Sequence, residues 1–135
     1  MSLLLDSDYE RLREAGLAFE EDEGRRFLIF LDLKLQEGLY NVPACDVLVV
    51  IPPNYPQAGN DMFWTHPRLH RSDGRPITAV LDPGGGDNRV WKGLEFCRWS
   101  RHWNPSSSGG WRPGKDDIIS IYRRIEWALM NPECR

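Results

Sequence analysis

Ala44-Cys45-Asp46-Val47-Leu48-Val49-Val50-Ile51-Pro52-Pro53-Asn54-Tyr55-Pro56 is the stretch on which the fold turns. Ala44 to Ile51 is rich in β-branched residues and reads as a central strand. It stops at Pro52-Pro53, because proline has no N–H to continue a ladder. Upstream, Phe27 to Leu35 reads as a second strand, with Leu31, Leu33 and Leu35 alternating against Asp32 and Lys34. Glu37-Gly38 makes a turn, and Leu39 to Val42 starts another short strand. Downstream, Met62 to Thr65 and Ile77 to Leu81 are further strand candidates.

Helices bracket these strands. Ser7 and Glu10 have the S-x-x-E spacing of a capping box, and Tyr9, Leu12 and Ala15 share one face behind it. Gly16 and the acidic run Glu20 to Glu23 end that helix. At the other end, Asp116 and Asp117 open a helix whose apolar stripe is Ile118, Ile121/Tyr122, Ile125 and Ala128/Leu129, stopped by Asn131-Pro132. Between the strands and this helix, Asp82 to Pro113 shows weak periodicity and many Gly, Pro, Trp and Arg residues. A loop of about thirty residues inside a compact domain is uncommon and usually functional. The layout is α+β: a helix, an antiparallel meander, a long irregular segment and a final helix.

Composition sets bounds on that layout. The 135 residues suit one domain, 1–135, with enough apolar content (41%) to form a core without staples. A net charge of −3 leaves no basic field for nucleic acid. Met1 to Asp6 has neither the basic start of a signal peptide nor the length of a membrane span. Three cysteines (Cys45, Cys97, Cys134) without CxxC spacing argue against a disulfide framework and fit a reducing cytoplasm. Cys45 reads as inert core, and Cys134 as an incidental thiol at the chain end.

Six tryptophans are the least ordinary count, and Trp91, Trp99, Trp103 and Trp111 fall within 21 positions. Inside that cluster lies Phe96-Cys97-Arg98-Trp99-Ser100-Arg101-His102-Trp103. It sets a thiol, a hydroxyl, an imidazole and two guanidiniums among indoles. Cys97 and Ser100 are candidate nucleophiles, each needing a base or positive charge nearby. His102 can serve as that base or as a donor to an oxyanion, and Arg98 and Arg101 can favour a developing negative charge. The plain alternative is a packing segment whose arginines stack on indoles. Other constellations are weaker. His66, His70, Cys97 and His102 do not make a zinc site, since Pro67 breaks any shared helical face. Gly84-Gly85-Gly86-Asp87 lacks the Gly-Lys-Ser/Thr ending of a phosphate loop.

Taken in order, Ile51-Pro52-Pro53-Asn54-Tyr55-Pro56, Asp61-Met62-Phe63-Trp64 and His66-Pro67-Arg68-Leu69 resemble the middle of a ubiquitin-conjugating (E2) domain. Trp99-Ser100-Arg101-His102, followed by Trp111-Arg112-Pro113-Gly114-x-Asp116, resembles the bacterial family called prokaryotic E2 family E. The resemblance implies an E2-like (UBC) fold and acyl transfer without a cofactor. It also implies partners: an E1-like (ThiF-type) adenylating enzyme, a ubiquitin-like protein and a JAB-type metalloprotease. Cys97, preferred for its intrinsic reactivity, would carry the acyl group as a thioester, or Ser100, the better match to the motif, as an oxyester, with His102 and Arg101 assisting and Asp61 and Asp116 as orienters. Two departures stand out. Arg68 replaces the Asn of the usual His-Pro-Asn, and about thirty residues separate Pro67 from Cys97. The rival reading is a non-catalytic E2-variant-like module that binds a ubiquitin-like protein or an E1. In either case Trp99, Trp103 and Trp111 should be buried around the active segment.

Overall fold

A computed structural model describes residues 3–101 and 110–133. Its elements run α1 (Asp6–Glu14), β1 (Phe19–Asp22), β2 (Phe27–Lys34), β3 (Ala44–Val50), β4 (Phe63–His66), β5 (Arg89–Trp91), β6 (Leu94–Trp99) and α2 (Ile118–Met130). The strands form one sheet in the order β1-β2-β3-β4-β6-β5, each neighbouring pair antiparallel. This is the expected α+β class, with β3 central and ending before Pro52 as its sequence requires.

One face of the sheet carries the main core. Leu28, Phe30, Val47, Val49, Phe63, Cys97 and Trp99 point to it, and the stripe Ile118, Ile121, Ile125, Ala128 and Leu129 of α2 covers them together with Leu12 of α1. The opposite face holds a second cluster of Phe27, Ile29, Leu48, Trp64, Trp91 and Phe96. It forms because the sheet curls until its edges approach. Lys92 Nζ donates to Glu20 Oε1 at 3.2 Å, and Arg25 Nη1 donates to the Val90 carbonyl at 3.0 Å.

Several local expectations are corrected. Ser7 is not the N-cap: α1 starts at Asp6, and Asp8 does the capping. The Asp8 carboxylate accepts from the Leu5 amide through one oxygen (3.0 Å) and from the Ile118 amide through the other (3.2 Å), so a single buried side chain ties both helix starts together. The acidic stretch after α1 is strand β1, whose carboxylates sit on a sheet edge. Leu31 and Leu33 do not share a face. A bulge between Phe30 and Leu33 sets three steps of β2 against two of β3, Asp32 takes φ 54°, and its amide donates to Asp46 Oδ1 at 2.8 Å. Leu31 therefore joins the outer cluster while Leu33 stays in the main core.

Leu39–Val42 gives only a bridge between Tyr40 and Arg71, and Ile77–Leu81 only a bridge between Val80 and Trp99. The long segment from Asp82 is not irregular throughout, since it contains the β5–β6 hairpin. β6 lacks strand alternation because both of its faces are covered. Phe96 packs in the outer cluster, Cys97 and Trp99 in the main core.

Candidate functional site

β6 carries the reactive tract out of the sheet. Its Cys97 pairs with Thr65 and its Trp99 with Phe63 on β4. Trp99 is fully buried, stacks on Phe63 at 5.2 Å and donates its indole N–H to Thr65 Oγ1 at 3.0 Å. On the other side the chain at Ala79–Leu81 continues the ladder. The Leu81 amide donates to the Arg98 carbonyl at 2.9 Å and the Ser100 amide to the Ala79 carbonyl at 2.8 Å. The tract is thus held rigidly up to Arg101.

The candidate residues separate along this strand. Cys97 is 1% exposed and faces the main core. Burial, reinforced by the Glu95 carboxylate and opposed by Arg68, raises its thiol above the ordinary value. The Asn88 amide nitrogen lies 3.9 Å from its Sγ. Ser100, half-buried at the point where the strand leaves the core, donates its hydroxyl to the Ala79 carbonyl at 3.1 Å. Arg101 is 4% exposed, and its Nη2 donates to the Asn131 carbonyl at 2.7 Å, fastening the exit of β6 to the C-terminal cap of α2. Arg98 lies on the opposite face and binds Asp87 Oδ2 at 2.6 Å, a contact that holds the Asp87 carboxyl below its usual range. His102 and Trp103 lie outside the described residues.

Cys97 and Ser100 are therefore different propositions. A protonated thiol inside a core is poorly reactive, because the thiolate is the nucleophile. A serine at the mouth of a strand needs only a proton acceptor and space for an acyl group.

Beyond the tract, Trp111 is half-buried and seated by several contacts. Its indole N–H donates to the Pro56 carbonyl at 2.7 Å, its ring lies 6.0 Å from that of Tyr55, and the Arg124 guanidinium stands 5.4 Å from its centre. Gly59 allows this seat, since a Cβ there would lie 2.3 Å from the ring. Arg124 also grips Asn60, with Nη2 at 2.6 Å from Oδ1. Asp61 is exposed. Asp116 accepts from the Arg112 amide at 2.8 Å, organising the Trp111–Pro113 turn.

Arg68, standing where an Asn was expected, pairs with Asp82 at 2.9 Å. His66 is the last residue of β4, its Nδ1 3.0 Å from the Glu95 carbonyl, while His70 is exposed. Asn88 was not singled out in the sequence. Its carboxamide accepts from the Arg98 amide and donates to the Asp82 carbonyl and Glu95 Oε2, and only the fold brings those partners to it. No helix among the described residues is long and apolar enough to cross a membrane.

Comparison with known proteins agrees with the order of motifs. The family model described as Prokaryotic E2 family E matches residues 4–132. No curated protein and no solved structure gives a significant match.

Proposed function

The chain belongs to prokaryotic E2 family E, and from that premise we propose that it is an E2-like carrier in a ubiquitin-like conjugation pathway. It receives the C-terminus of a ubiquitin-like protein from an E1-like enzyme and passes it to an amine. Ser100 is the favoured acceptor. Its oxygen attacks the E1 thioester carbonyl, His102 takes the Ser100 proton, and the E1 thiolate leaves and recovers that proton from His102. An amine then attacks the resulting ester, forming an amide and returning the Ser100 hydroxyl. The observation that carries this choice is position: Ser100 stands half-buried at the exit of β6, while Cys97 is sealed in the core three residues earlier. Arg101, fixed to Asn131, anchors the chain directly after Ser100.

A specific observation favours the second reading, a non-catalytic module that binds the ubiquitin-like protein or its E1. The Cys97 thiol is buried and raised, and the Ser100 hydroxyl already donates to a backbone carbonyl. One assay separates the readings. The chain is incubated with an E1-like protein, ATP and a ubiquitin-like protein, and adducts are resolved by non-reducing electrophoresis. A band that survives thiol reductant, is cleaved by mild base and is lost in Ser100→Ala is the expected result. A reductant-sensitive band lost in Cys97→Ala moves the acceptor to Cys97. No band under any condition overturns the carrier role and leaves the binding module.

A further inference from the structure

We propose that the groove between the end of β2 and the last turns of α2 is a docking site for a peptide segment of a partner protein in which a lysine or arginine stands beside an aliphatic side chain. The groove has a volume of about 300 Å³. Leu33, Leu35, Leu129 and Met130 give it apolar walls, and Glu126 stands among them. It is separate from the acceptor tract, since none of residues 97–101 lines it.

Both walls are fixed by the fold itself. The Leu35 amide donates to the Pro43 carbonyl at 2.9 Å, which carries the β2–β3 ladder past Lys34, and the Leu39 amide donates to the Gln36 carbonyl at 3.2 Å to close the turn that follows. The Tyr40 hydroxyl then donates to the Leu129 carbonyl at 2.6 Å and clamps α2 to that turn. Glu126 and Met130, four residues apart on α2, share the flank that faces Leu33 and Leu35. A groove held in this way loses little conformational freedom when a segment enters it.

Charge selects the occupant. Two charged side chains line the groove, and they do not meet. Lys34 Nζ binds Asp32 at 2.9 Å, while the Glu126 carboxylate has no ion pair or hydrogen bond among the described residues. Glu126 is half-buried, and burial raises its carboxyl above the ordinary value against the opposing pull of Arg123. It is therefore open to the groove yet short of solvent, a position that an incoming cation relieves. Lysine or arginine suits the walls as well, because its aliphatic stem can lie on Leu35 and Met130 while its head meets Glu126. Met130 is 52% exposed, and a neighbouring aliphatic residue of the same segment would cover it. An acidic segment would be repelled by Glu126, and a purely polar one would leave the walls wet.

The test is a titration of the full chain with an end-blocked hexapeptide of alternating leucine and lysine, followed by amide chemical shifts and calorimetry. Saturable binding is expected, with shifts at Gln36 and Met130. Glu126→Gln keeps the shape of the side chain and breaks no bond within the described residues, so it should fold normally and weaken binding about five- to tenfold. Met130→Ser, at an exposed position, should weaken it about threefold or more. Glu10→Gln removes a carboxylate on α1, at a side chain 64% exposed, and should leave binding nearly intact. Equal loss in Glu126→Gln and Glu10→Gln, or hexalysine binding as tightly as the alternating peptide, reduces the effect to net charge and overturns the proposal. Absence of binding overturns it too. Shifts at Gln36 and Met130 that grow with protein concentration alone assign the groove to a second copy of this chain and also overturn it. The titration involves no acyl transfer, so the groove and the carrier role fail separately.

Discussion

β3 and β6 each place one cysteine on the helix-facing side of the sheet, and the two strands solve the same burial problem differently. Cys45 is 3% exposed at the start of an apolar strand, and Cys97 is 1% exposed in a strand that also carries Glu95 and Arg98. β3 is paired by β2 from end to end and by β4 over Asp46, Val47 and Leu48. β6 is shared among β4, β5 and the Ala79–Leu81 segment, and its Arg98 and Glu95 side chains take partners from Asp87, Asn88 and Gly84. A strand that both fills a core and holds charged residues draws polar partners from the turns around it. A strand that only fills the core does not need them.

That contrast predicts where stability is concentrated. Trp99→Ala removes the largest fully buried side chain, its stack on Phe63 and its bond to Thr65, and should cost about 3–5 kcal/mol in denaturant unfolding. Val49→Ala in β3, buried to the same degree, should cost about 1–2 kcal/mol, in proportion to the smaller group lost. Equal costs would mean that the end of β6 is loosely packed, and the contrast would fail.

The exits of the two strands offer the next comparison. β3 runs directly into the Pro52–Pro56 turn. Beyond β6, Trp111 sits on that same turn. Gly59→Ala would drive a methyl into the Trp111 ring, so it should destabilise by about 1–3 kcal/mol and alter the indole fluorescence. Unchanged stability and emission would show that Trp111 does not rest on Gly59.

The two strands also differ in how far the sequence announces them. β3, β2, β4 and α2 are legible because a one-type apolar run or a helical stripe meets a single clear boundary, such as Pro52 or Asn131-Pro132. β1 is masked by its carboxylates, which suit a solvated edge as well as they suit a loop. β6 is masked because Phe96 and Cys97 are buried on opposite faces, which abolishes the period of two, while Arg98 looks solvent-bound until Asp87 is placed against it. The reactive tract was legible as a set of residue types. Whether Cys97 faced core or solvent depended on the register of β6 with β4, and that register is a tertiary fact. Asn88 was hidden for the same reason, since its partners Asp82, Glu95 and Arg98 are brought to it only by the fold.

Titration distinguishes the cysteines more finely. Burial pushes the Cys45 thiol up to about 12 and raises that of Cys97, while an unfolded thiol ionises near about 8.5. The unfolded chain therefore loses these protons first as pH rises, and native stability is full below about 8.5 and falls above it. Each group contributes a slope of up to about 1.4 kcal/mol per pH unit between its two values. Burial also raises Tyr40 and Tyr55, which extends the decline to higher pH. Cys45→Ala should flatten the alkaline branch more than Cys97→Ala, whose nearby Arg68 offsets part of the burial effect. The reverse order, measured by urea midpoints from pH 7 to about 10.5, would overturn this ranking of the two thiols.

The smallest effect probes the polar partners that β6 carries. Arg98 and Asp87 meet at 2.6 Å, but their side chains are 25% and 41% exposed, so solvent screens much of the attraction. A double-mutant cycle with Arg98→Met and Asp87→Asn should give a coupling of only about 0.5–1 kcal/mol, falling with added salt. The carboxyl of Asp87 is held below its usual range by that same contact, so the coupling is present above an unfolded Asp value near about 3.9 and lost as pH falls through the lower folded value. Coupling that persists below that range would mean a hydrogen bond to neutral Asp87 rather than an ion pair. Coupling well above about 1 kcal/mol would show that the hairpin β5–β6 leans on this pair for its position, and that the polar face of β6 holds the strand in place as firmly as its buried face does.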